Sequence, residues 1–174
     1  MINGKPTRIE EEFILHWGQM GVQWGINRTV AQVHALLYLS EEALNAEQIC
    51  GILNVARSNV STSLKELQGW GIVKKVTRMG DKRDHFESLH DVWELARIIL
   101  NERKKREIDP TREVLQSLVH AASEDAETSE TTTKRLAEMA NFLNVSSTWF
   151  ERMNRMPPKA LKALIKFGGP GKTP

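Results

Sequence analysis

Cysteine is almost missing from this chain. Cys50 is the single one in 174 residues, so no disulfide can form within the chain, and a small secreted framework held by cross-links is excluded. Long apolar runs are missing too. None approaches the roughly 18 residues that a membrane-spanning helix needs. The opening Met1–Glu12 stretch is polar and acidic, unlike an export signal. The expectation is a cytoplasmic protein with no membrane role. Net charge is scarce: 24 Lys and Arg stand against 22 Asp and Glu, a formal +2. His16, His34, His85, His90 and His120 show no close pair with a third metal ligand, and no nucleophile sits at a spacing that suggests a base beside it. No metal, no cofactor and no catalysis are therefore expected.

What is present is ordinary in amount and ordered in pattern. Hydrophobic residues make up 40% and charged residues 26%, as in a globular protein whose length suits one domain with extensions or two small ones. Ile9, Phe13, Trp17 and Met20 recur at helical spacing, predicting a helix over about Arg8 to Met20, after which Gly18, Gly21 and Gly25 loosen the chain. Asn27 is a candidate N-cap for a helix over Arg28 to Leu39 with Val30, Val33 and Leu37 inward. Asn45 with Gln48 three residues on has the form of a capping box, opening a short helix with Ile49, Ile52 and Leu53. "NVA" is then a tight turn.

The stretch after it, "RSNVSTSLKELQG", has an unusual polar side. Arg57, Ser58, Asn59, Ser61, Thr62, Ser63 and Lys65 are short or basic, and hydroxyl-rich residues at this density are poor helix formers. At about 100° per residue Val60, Leu64 and Leu67 share one face. Ser58, Thr62 and Lys65 fall opposite, with Asn59 and Ser61 on the flanks. Gly69 and Gly71 end the helix around Trp70. "IVKKVTR" reads as a strand, "MGDKRD" as a turn and "HFESL" as a returning strand, giving a hairpin with a basic tip. From Arg57 to Arg83 seven basic residues face only Glu66 and Asp81, a local +5 inside a near-neutral chain. Charge gathered in this way suits a polyanionic partner.

The order helix, short helix, three-residue turn, helix, basic hairpin is the winged helix-turn-helix plan. A helix that enters the major groove must bring polar atoms to base edges. Ser58, Ser61 and Thr62 allow close approach, Asn59 can pair with adenine or meet a phosphate, and Lys65 reaches guanine or a phosphate. Arg78, Lys82 and Arg83 would lie along the backbone or minor groove.

Beyond the hairpin the pattern is helical. A helix runs from Asp91 to a stop at Asp109-Pro110, another covers about Thr111 to Ala122, and "SEDAETSETTT" reads as an acidic loop or frayed helix end. A longer helix carries Leu136, Met139, Ala140, Leu143, Trp149, Phe150 and Met153 and ends at Pro157-Pro158. A last short helix, "PKALKALIKF", precedes the "GGPGKTP" tail.

Four stretches, "WGINRTVAQVHALLYLS", "LNVARSNVSTSLKELQGWGIVKKV", "GDKRDHFES" and "DVWELARIILNERKKREIDP", resemble a MarR-type winged-helix regulator, specifically the branch named for the glycine betaine synthesis regulator, GbsR. The resemblance covers about Trp24 to Pro110. It implies a bacterial transcription factor without catalysis, dimerised through N- and C-terminal helices. It also implies DNA contact through Arg57, Ser58, Asn59, Ser61, Lys82 and Arg83. Ala56 departs from the pattern, since such helices often carry a Ser cap there, so the first turn is capped differently or frays without DNA.

The expected fold is therefore mainly α, with a winged helix-turn-helix domain, a small β-hairpin wing and terminal dimerisation helices. Residues 1–26 form the N-terminal dimerisation helix, 27–90 the DNA-binding domain, 91–167 the C-terminal helical dimerisation region and 168–174 a flexible tail. Partners are double-stranded DNA with a pseudo-palindromic operator and a second copy of the chain, whose interface would use Ile9, Phe13, Trp17, Ile98, Leu136, Leu143 and Phe150. A winged-helix protein–protein adaptor without DNA binding is the alternative. Among five tryptophans, Trp17, Trp24 and Trp93 are candidates for an aromatic cage around a quaternary ammonium effector such as choline or a betaine; aromatics at helical spacing are otherwise core. "GGPGKT" lacks the first Gly of a phosphate-binding loop, Lys166 standing there, and no helix follows. Cys50 reads as a core thiol, with a redox switch as the alternative. His85 and His90, flanking a strand end, read as structural or DNA-facing.

Overall fold

A computed structural model describes residues 5–167; the tail with its "GGPGKT" sequence lies outside the described residues. The chain divides into two compact units, 1–98 and 99–174.

In the first unit, α1 spans Arg8–Gln23 and opens on a capping box between Thr7 and Glu10. It continues past Met20, straight through Gly18 and Gly21, both buried. These glycines do not loosen the helix. They bare its surface so that α2, Arg28–Leu39, can come close: a Cβ on Gly21 would stand 2.5 Å from the Ala31 Cβ. The chain turns only at Gly25, where φ is +75°. Asn27 then caps α2, its Oδ1 accepting from the Thr29 N–H at 2.8 Å. Val30, Val33 and Leu37 point inward as the spacing predicts.

Leu44–Asn45 form a two-residue strand, β1, too short to announce itself in sequence. Asn45 also caps α3, Ala46–Leu53, through the predicted capping box with Gln48. Asn54, left-handed at φ 52°, starts the turn into α4, Arg57–Gly69. Strands β2, Val73–Arg78, and β3, Asp81–Ser88, complete an antiparallel sheet of order β1-β3-β2. The hairpin turn is much tighter than the six residues expected. Only Met79 and Gly80 separate the paired Arg78 and Asp81, with Gly80 at φ +81°. Gly80, the second loop residue, takes a positive φ that glycine adopts without strain, and Asp81, Lys82, Arg83 and Asp84 belong to the strand. Val33, Leu36, Leu37, Leu44, Ile49, Val60, Leu67 and Ile72 fill the core, joined by Leu95 of α5, Val92–Arg103. Each such burial stabilises the fold by about 1.5–3 kcal/mol.

In the second unit Asp109-Pro110 does not stop the helix. A π-helical turn, Lys104–Ile108, leads directly into α6, Asp109–Glu124. Pro110 stands in the first turn of α6, where a missing N–H and a fixed φ cost least. The acidic loop shrinks to a short turn in which Asp125 accepts from the Glu127 N–H and Thr128 hydroxyl. Capped by Ser129, α7 spans Glu130–Asn154 and packs on α6 through its small Ala140 and Ser147. Arg112 donates to Ser147 and Gln116 to Asn144 across this contact. Leu136, Leu143 and Phe150 are half-buried on α7, whereas Met139, Phe142, Val145 and Trp149 are exposed. The last helix, α8, spans Pro158–Phe167.

Candidate nucleic-acid interface

Helix α4 separates its residues cleanly. Val60, Leu64 and Leu67 are buried, and Arg57, Ser58, Asn59, Ser61, Thr62 and Lys65 are all exposed. Ser63 is the exception to the expected polar side: at 2% exposure it lies with the core. It sits three residues after Val60 and one before Leu64, so its helical phase is apolar whatever its hydroxyl prefers. Ala56 provides no side-chain cap, so no neighbouring hydroxyl or carboxylate occupies the first-turn N–H groups of α4. Open N–H groups at a helix start favour an anion.

The wing is less nakedly basic than its local +5 suggests, because the fold brings carboxylates from outside that segment. Arg78 pairs with Glu42 at 3.1 Å, Lys75 with Asp84 at 2.8 Å and Lys74 with Glu87 at 2.6 Å. Glu42 is distant in sequence, and Asp84 and Glu87 follow the basic stretch on β3, so a count along the chain misses all three. Arg83 forks onto Asp81, with Nη2 at 2.7 Å from Oδ2. That pairing, with the Arg83 N–H donating to the same carboxylate, holds the Asp81 carboxyl well below the usual range and raises the Arg83 guanidinium. Among the described residues Lys65 and Lys82 have no ion pair, so their charge is fully available. Met79, not a basic residue, stands fully exposed at the tip.

The other candidates divide. Trp17 and Trp24 meet edge to face with ring centroids 5.8 Å apart, and Phe13 stacks on Trp17 at 5.5 Å. Trp93 is half-buried at the start of α5. Phe13, Trp17 and Ile98 pack on the core of the first unit, so they are not the bare face expected of them; Ile9 is. His85 is buried with its Nδ1 3.0 Å from the Arg83 carbonyl, a structural position, and His90 lies 5.9 Å from the Tyr38 ring. Cys50 is half-buried against the core.

The domain thus presents an exposed hydrogen-bonding helix, buried on its other side and followed by a tight two-stranded wing. Residues 24–84 match the MarR family. They form a winged-helix domain, in a chain that is mainly helical with one small antiparallel sheet. A solved structure described as a transcriptional regulator is similar to this chain, with a TM-score of 0.61 and 18% identity, over 85% of this chain and 99% of that one. At that identity the likeness speaks for the fold. A mutant of MepR from S. aureus, bound to an oligodeoxyribonucleotide, gives a TM-score of 0.40 and 18% identity over 81% of this chain and 92% of its own. No curated protein matches the chain in sequence. The matched segment contains both β1, which no pattern in the sequence announced, and the Glu42 and Glu47 carboxylates that meet the basic residues.

Proposed function

We propose that this chain is a transcriptional regulator that binds double-stranded DNA in a sequence-specific way, with α4 in the major groove and the wing along the backbone or minor groove. The observation that carries the reading is the split of α4: a row of exposed hydrogen-bonding side chains backed by a fully buried apolar face, in a MarR-type domain. Arg57, Ser58, Asn59, Ser61, Thr62 and Lys65 meet bases or nearby phosphates; Arg78, Lys82 and Arg83 meet the backbone or minor groove. The matched family is one of regulators, not of enzymes. Selection of bound duplexes from a random library, followed by anisotropy titration of the winner against a scrambled duplex over a salt series, tests the reading. A specific complex whose affinity falls steeply with salt is expected. Absent or salt-independent binding would favour the protein–protein adaptor instead.

The finer reading is a homodimer of the GbsR-like branch acting on a pseudo-palindromic operator. Its support is apolar surface with no cover in either unit: Ile9 on α1, and Met139, Phe142, Val145 and Trp149 on α7, spaced three or four apart along one face. No helix among the described residues is long and apolar enough to cross a membrane, so a second chain is the fitting cover. Choline or a betaine is the effector class that a tryptophan face suits. Trp17, Trp24 and Trp93 are its candidate contacts, and tryptophan fluorescence titrated with choline chloride and glycine betaine reads the binding directly.

A further inference from the structure

The fold places one carboxylate between the two parts of the interface. Glu47 stands in the first turn of α3, with Oε1 3.3 Å from Nη1 of Arg57 on α4 and Oε2 3.6 Å from Nη1 of Arg83 on the wing. The two guanidiniums converge on it from different elements over a cleft of about 300 Å³, floored by Leu64 and Phe86 and flanked by Lys65 and Asp84. Asp81 differs in kind. It lies on the same strand as Arg83 and also accepts the Arg83 backbone N–H, so it shapes the wing locally.

We propose that Glu47 is a phosphate surrogate: it occupies the position between Arg57 and Arg83 that a DNA phosphate takes in the complex, and must be displaced for binding. The proposal rests on the DNA-binding reading above. Its chemistry follows from the groups. A carboxylate and a phosphate present similar pairs of anionic oxygens to a guanidinium. With side chains 57% to 63% exposed, Glu47, Arg57 and Arg83 form ion pairs that hold weakly and exchange readily. While in place, Glu47 keeps two long side chains facing one point and cancels part of their charge. Any duplex must meet that charge, so Glu47 lowers affinity for DNA in general. It is thus a determinant of how little the protein lingers on random sequence. A duplex making its full set of base contacts offsets the cost.

The test uses the full chain, a random-sequence 30-base-pair duplex and anisotropy over a KCl series. Glu47→Gln keeps the shape and removes the charge. It should bind the random duplex about fivefold tighter at low salt, with the log–log salt slope steeper by up to about 0.9, the value of one recovered phosphate contact. Arg57→Gln serves as the partner variant: it should weaken binding more in the Glu47→Gln background than alone, because only there is the guanidinium unopposed. Circular dichroism keeps a folding defect apart from a binding effect, and Glu47→Asp, which restores the charge, should return toward the original slope. If Glu47→Gln binds no tighter and keeps the original slope, or if the Arg57 substitution costs the same in both backgrounds, the surrogate is wrong though DNA binding stands. If the unaltered protein binds neither this duplex nor a selected one, the DNA-binding reading fails first.

Discussion

Gly21 of α1 lies so close to Ala31 of α2 that the two positions together admit one methyl group: a Cβ on Gly21 would sit 2.5 Å from that of Ala31. Gly21→Ala should therefore destabilise the fold by about 1–3 kcal/mol in chemical denaturation, despite the better helix propensity of alanine, because neither backbone can yield without moving a helix. Gly51 is the contrast. It is exposed in α3 with nothing within 4 Å of its missing Cβ, so Gly51→Ala should gain up to about 1 kcal/mol.

Recognition and stability should separate on α4. Asn59 is exposed and Leu64 is buried. Asn59→Ala is expected to cost about 1–3 kcal/mol against a selected operator and much less against random DNA. Its unfolding free energy should change within about 0.5 kcal/mol. Leu64→Ala should lose roughly 2–5 kcal/mol of stability and all DNA binding together. Equal loss on both duplexes for Asn59→Ala would show that this face reads no sequence.

Acid should weaken the first unit through one ring. His34 is 5% exposed, its Nε2 has no hydrogen-bond partner, and burial pushes its pKa from 6.5 down to about 4. The unfolded chain takes up the proton near 6.5 and the folded one only near 4, so stability is constant above that window and falls as pH drops through it. The loss is on the order of 3 kcal/mol by pH 4. Denaturation of the unaltered chain and of His34→Phe at pH 7 and pH 4.5 checks it: the variant should lose distinctly less on acidification.

Light scattering at micromolar concentration should give twice the chain mass. Phe142→Glu, on the exposed face of α7, should shift the protein toward monomer with little change in helicity. A monomer before any substitution would remove the dimer reading.

Much of this was legible in the sequence where local signals agree. Asn27, Asn45 and Gln48 mark caps because their side chains satisfy N–H groups a few residues away, and the Val60, Leu64 and Leu67 spacing reports a buried side directly. What escaped depends on contacts distant in the chain. Gly18 and Gly21 look like breakers until α2 is packed against them. Ser63 looks like its hydroxylated neighbours until its phase is set by the core. The pairing of Arg78 with Glu42, and of both Arg57 and Arg83 with Glu47, joins residues 10 to 36 positions apart, so the wing read as more basic than the fold leaves it. The Asp109-Pro110 stop failed for a different reason: the widened turn before it lets the chain pass a proline without leaving the helix.

Asn45 holds two posts at once. Its backbone pairs with His85 on the wing strand, and its side chain caps α3, the helix that precedes α4. Parting β3 from β1 disturbs the residue whose side chain caps α3, a cap worth about 0.5–2 kcal/mol, so opening of the wing and fraying of α3 are coupled. On the DNA-binding reading proposed above, the wing and α4 would adjust to a groove as coupled parts, with some of the cost of a poor fit falling on the start of α3.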